Sequence, residues 1–131
     1  MEIFESKSIY RIEYELIKKV KELRLENGWS QTVLSDKMGF AETFVGKCES
    51  IEQPEKYNLR HLVILSAVFN VKGLNDFFPN GLPEDELIKI RYKKVPKLKA
   101  DGTASKLSDS EIVEIVVAEE ETKSKSNKGK S

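Results

Sequence analysis

The stretch from Gly28 to Ser50, GWSQTVLSDKMGFAETFVGKCES, constrains this chain more than any other. Gly28 closes a preceding helical pattern, as a residue free to take positive φ should, and Ser30 then stands where an N-cap belongs. Trp29 just before that cap and Leu34 at the fourth helical position are placed to form a hydrophobic staple. A short helix therefore starts at Gln31, puts Val33, Leu34 and Met38 on or beside one face, and ends at Gly39.

After the glycine, Phe40, Phe44, Val45 and Cys48 repeat at three- and four-residue spacings, leaving Glu42, Thr43, Gly46, Lys47 and Ser50 for the opposite side. The spacing predicts a second helix over about Ala41 to Ser50, with a small, polar outer face. Two short helices joined by a tight turn containing Gly make a helix-turn-helix.

The ordered set of residues resembles the DNA-binding domain of the lambda-repressor-like regulators, the XRE family of bacterial and phage transcription factors. Leu23 and Arg24, then Gly28, Ser30 and Gln31, then Leu34, Gly39, Val45 and Glu49 stand where the family has its pattern, and the match covers roughly residues 12 to 79. The resemblance implies an all-α, five-helix domain that reads duplex DNA. Gln31 and Thr32 at the start of the first short helix, Glu42 and Thr43 at the start of the second, and Lys47 and Ser50 further along become the candidate DNA-binding residues. The physical warrant is that a helix lying in the major groove presents its leading residues to base edges. Thr43 can touch a thymine methyl, and Glu42 can accept from a cytosine amino group while repelling phosphate. The resemblance also implies that Arg24 and Glu49 form a partly buried ion pair, a structural role that keeps both off the list of base contacts. Three positions depart from the family: Glu42 is an acid, Ala41 stands where a Ser or Thr cap is common, and Ile51 stands where a Gly often ends the helix.

The flanks read as packing. Ile9, Ile12, Leu16, Val20 and Leu23 predict a long first helix from Ile9 to about Asn27, after a flexible segment at residues 1 to 8. Ile51 to Tyr57 reads as a loop, and Asn58 as the cap of a helix from Leu59 to about Phe69 that is apolar almost all round. Val71, Leu74, Phe77 and Phe78 predict a last short helix stopped by Pro79, which completes the domain at residues 9 to 79. Residues 80 to 99 read as a linker with a brief helix over 84 to 92 and a basic run, Arg91, Lys93, Lys94, Lys97 and Lys99. That run is either an arm along the DNA backbone or solvated tail. Residues 100 to 131 read as a disordered tail, interrupted by a β-branched island at 112 to 117 that is either a short strand or a linear motif.

Composition narrows the function classes. The chain carries 22 basic and 22 acidic residues, so any attraction for phosphate has to be built locally. One cysteine and one histidine argue against a disulfide framework, a zinc site or a catalytic dyad. No phosphate-cradling glycine loop or nucleophile elbow is present, so neither an enzyme nor a cofactor is expected. The chain has no apolar run of membrane-spanning length and no signal-peptide hydrophobic region, which predicts a cytoplasmic protein. One short helix contacts few base pairs, so a homodimer is expected, with some of Val63, Ile64, Val68, Leu74, Phe77 and Phe78 at its interface. The alternative to a transcriptional regulator is a protein-interaction module, antitoxin-like, whose C-terminal tail binds a partner protein.

Overall fold

A computed structural model of the chain describes residues 4–98 and 104–118. The chain divides into two compact units, one running from Arg11 to Glu84 and the other combining the segment up to Tyr10 with the chain from Asp85 onward. The first holds four helices, α1 (Arg11–Glu26), α2 (Gln31–Met38), α3 (Phe44–Glu49) and α4 (Leu59–Phe69). The second is a three-stranded antiparallel sheet in the order β1 (Phe4–Tyr10), β2 (Leu87–Leu98), β3 (Ala104–Val117). The chain is therefore mixed α and β, which corrects the all-α, five-helix expectation.

Five features of that expectation change. The segment read as a flexible N-terminus supplies β1, and the first helix starts at Arg11 instead of Ile9. The expected last helix shrinks to a single 3-10 turn at Leu74–Asp76. The linker read as a brief helix and basic run is β2, and the island at 112 to 117 is the end of a long strand, so residues 104 to 117 are not a disordered tail. Residues 99 to 103 and 119 to 131 of that expected tail lie outside the described residues.

The helical unit forms where local signals are strongest. Ser30 caps α2 by accepting from the Val33 N–H, and Gly39 ends it at φ 82°, a left-handed conformation that suits glycine. Its core contains Leu16 and Val20 of α1, Leu34 and Met38 of α2, Val45 and Cys48 of α3, Leu65 of α4, and Phe77 and Phe78 beyond the 3-10 turn. Phe77 and Phe78 are thus core residues, not interface residues. Ile64 and Val68 pack partly buried against that core, whereas Val63 and Leu74 are exposed.

In the sheet unit, β1 pairs with β2 over Phe4 to Tyr10, and β2 pairs with β3 from Ile88 opposite Val117 to Leu98 opposite Ala104. Alternation along β2 puts Ile88, Ile90 and Tyr92 on one face, all buried, and Lys89, Arg91 and Lys93 on the other. The described part of the basic run is matched by acids on the neighbouring strands. Arg91 pairs with Glu114 at 2.9 Å, Lys93 with Glu111 at 3.7 Å and Lys94 with Glu5 at 3.8 Å. Opposite charges on adjacent strands support pairing and leave these three bases partnered within the sheet.

His61 has a structural place at the start of α4. It donates its backbone N–H to Asn58 Oδ1, and its Nδ1 accepts from the Asn58 N–H, both at 2.9 Å, which closes a capping box. Phe40, Phe44 and Tyr57 surround the imidazole edge to face. Burial, with Arg60 as a lesser cause, holds its pKa below the ordinary histidine value. The unfolded chain therefore takes up this proton more readily than the folded one. The stabilisation is complete above the unfolded value of about 6.5 and is lost as pH falls through the lower folded value. The melting temperature is expected to drop between pH 7.5 and pH 5, and to drop less in His61→Gln, which keeps an acceptor but does not titrate. Equal drops in the two proteins would refute this role.

Candidate functional site

Every candidate DNA-binding residue lies in the helical unit, on or beside α2 and α3. The interaction that assembles them is buried. Arg24, on the last turn of α1, donates from Nε to Glu49 Oε2 at 2.8 Å and from Nη2 to Glu49 Oε1 at 2.9 Å, a two-pronged contact with the end of α3. Its third nitrogen, Nη1, donates to the Trp29 carbonyl at 2.9 Å, tying in the turn that leads to α2. The two side chains are 7% and 3% exposed, so the expected structural ion pair is present and buried.

Gln31 joins this pair. Its Nε2 donates to Glu49 Oε1 at 2.8 Å, bridging the first residue of α2 to the last of α3. The side chain crosses α3 at Gly46, where a Cβ would come within 3.1 Å of Gln31 Oε1. Glycine at 46 thus lets the amide lie close against the α3 backbone. Gln31 is consequently a positioning residue, half-buried and committed to Glu49, while Thr32 beside it is exposed.

A second tie joins the two helices. Val45 donates its N–H to Ser35 Oγ at 2.9 Å, and Ser35 is completely buried. The adjoining Phe44 N–H is taken by the Ala41 carbonyl at 2.9 Å. Neither Ser35 nor Gly46 figures among the expected site residues. The available signals were a small hydroxyl on the inner side of a two-turn helix and a glycine within an amphipathic one.

The outer surface is built from what remains. Glu42 and Thr43 lie in a turn before α3, which begins at Phe44 instead of about Ala41, and Thr43 makes no side-chain cap. Glu42, Thr43 and Lys47 are exposed, together with Ala41 and Thr32. Ser50 differs: it is the C-cap of α3, is half-buried, and its Oγ accepts from the Glu52 N–H at 3.3 Å. The structure therefore presents Thr32, Glu42, Thr43 and Lys47 outward and turns Gln31 and Ser50 to bonds within the fold.

Behind α3, Cys48 is 1% exposed, and burial, with Glu55 as a lesser cause, pushes its thiol up to about 12. A buried thiol at that value carries no thiolate near neutral pH, consistent with a core residue. On the far side of the α2 entry, Trp29 stacks on Phe69 of α4 at 5.5 Å, and Lys37 lies over the indole at 4.6 Å. The described residues contain no cluster of His, Cys, Asp or Glu able to hold a metal ion, and no helix among them is long and apolar enough to cross a membrane. Compared with protein-family models, with curated proteins and with solved structures, the chain matches none.

Among the described residues Glu49 is the anion that meets Arg24, so Glu49→Ala leaves a guanidinium buried and uncompensated. The expected loss is about 3 to 5 kcal/mol of unfolding free energy by denaturant titration. A loss below about 1 kcal/mol would mean that the pair is solvated and does not fix α3.

Proposed function

We propose that the chain binds duplex DNA sequence-specifically as a non-enzymatic transcriptional regulator acting in the cytoplasm, with α3 and the turn before it entering the major groove. The observation that carries this reading is the division of labour across the two short helices. Arg24, Gln31, Ser35 and Glu49 are spent on holding α3 in place, and the exposed Thr32, Glu42, Thr43 and Lys47 are left on its outer side. In this arrangement Thr43 meets base edges and Lys47 meets phosphate. Glu42, with no described ion partner, biases against phosphate and toward cytosine. A helix of six residues reads few base pairs, so the regulator acts as a homodimer on a two-fold site.

A second reading, a module that binds a partner protein through its C-terminal segment, draws on one observation. The β-branched residues of β3 are exposed at the edge of the sheet.

Fluorescence anisotropy against duplexes tiling the region upstream of its own gene, at two salt concentrations, separates the two. The DNA reading predicts tight, salt-sensitive binding to one tile. Lys47→Ala is expected to weaken all duplexes alike and flatten the salt slope by about one phosphate contact, and Thr43→Ala to lose roughly five- to a hundred-fold on the preferred tile. Equal, weak binding to every tile, unaffected by either substitution, would mean that the two short helices are a scaffold or act elsewhere in the genome, and would favour the partner-binding module.

A further inference from the structure

The two edges of the sheet differ in kind. The β1 edge presents Glu5, Ser6, Lys7 and Ser8, all exposed, the polar and lysine-bearing composition that discourages strand addition. The β3 edge ends in Ile115, Val116 and Val117, all exposed, with side chains that alternate between the two faces of the sheet. Among the described residues β3 pairs only with β2. A strand that is β-branched on both faces and open along its backbone is a template for another strand.

Backbone direction shows which groups are open. Ala118 donates its N–H to the Leu87 carbonyl at 2.9 Å, so in the antiparallel ladder Val116 and Glu114 also direct their N–H and C=O toward β2. Ile115 and Val117 then direct theirs away from the sheet. The run from Glu114 to Val117 is regular. The pairing slips only beyond it, where Arg91 faces Glu114 and Tyr92 faces Ile112, leaving Val113 as a bulge.

We infer that this edge is where a second copy of the chain docks, β3 against β3 in antiparallel array about a two-fold axis through Val116, so that two three-stranded sheets become one of six strands. The inference names the surface of the dimer that the DNA-binding reading calls for, and rests on that reading only for the expectation of a dimer. A second copy fits this edge both in register and in charge. With the axis at Val116, Ile115 faces Val117 of the other copy, and the outward N–H and C=O groups of both residues find partners within the regular run. An axis at Glu114 sets two carboxylates against each other, and an axis at Ile115 pairs Val117 with the bulged Val113. The charges are also compatible: Glu114 and Glu111 are already matched by Arg91 and Lys93 of their own sheet, and Glu114 falls opposite Ala118, so no like charges within the run meet.

The test uses the full chain without DNA, so that a failure of DNA recognition does not enter it. Sedimentation should find a dimer at micromolar concentration. Val116→Lys, which sets two ammonium groups beside the axis, should give a folded monomer by sedimentation and circular dichroism. Directly opposed residues at a non-hydrogen-bonded antiparallel site have Cα atoms roughly 4.5 Å apart, within disulfide range. Val116→Cys should therefore cross-link on mild oxidation. Ile112→Cys, eight residues from its own copy in this register, should not, and the buried Cys48 leaves the wild type uncross-linked. A monomeric wild type, a dimer that survives Val116→Lys, or cross-linking at 112 in preference to 116 would each overturn the inference.

Discussion

The two-pronged contact between Arg24 and Glu49 is the interaction on which the arrangement of α1, α2 and α3 depends. Removing both charges from water costs several kcal/mol per ion, and their attraction repays it only if the geometry is good and the remaining hydrogen-bonding capacity is met. Both conditions hold here. The guanidinium spends its third nitrogen on the Trp29 carbonyl, and the carboxylate accepts a further bond from Gln31. A pair satisfied in this way has one low-energy arrangement. It joins α1, the turn into α2, the first residue of α2 and the end of α3, so the orientation of α3 follows from a single polar cluster supported by the bond from Val45 to Ser35.

This cluster also explains why the outer side of α3 is small and polar. The side chains able to reach across to α1 and α2 are used for positioning, and Gly46 is kept bare so that the Gln31 amide can pass. What faces outward carries little packing. Its residue types are therefore not set by the core.

The helical unit was legible in the sequence because its signals are local. Ser30, Gly39 and Asn58 cap helices by bonds made within a few residues, and the apolar spacing in α1 and α2 shows their inner faces. The Arg24 and Glu49 pair was reached through family resemblance, since nothing within either helix signals a partner 25 residues away. The sheet is less legible for the opposite reason. Ile88, Ile90 and Tyr92 alternate with Lys89, Arg91 and Lys93, a period of two, but Leu87, Ile88 and Tyr92 also suit the brief helix expected over 84 to 92, and so short a run does not decide between the two periods. Pro96 stands within β2. The pairing of β1 with β2 reaches only Lys93 among the described residues, so no described neighbour asks for the N–H that proline lacks. The first part of β3, ASKLSDS, has the composition of a tail, and its strand comes from pairing with β2, a non-local interaction that composition does not record.

If α3 reads DNA as proposed, the buried pair serves that role by fixing α3 more than it stabilises the fold. Replacing both partners together, Arg24→Met with Glu49→Leu, measures this most directly, because the double change removes the charges without stranding either one. The account predicts unfolding free energy within about 1 to 2 kcal/mol of the wild type, and at least a ten-fold loss of affinity for the duplex that the wild type prefers. A double variant that folds and binds that duplex as well as the wild type would contradict it.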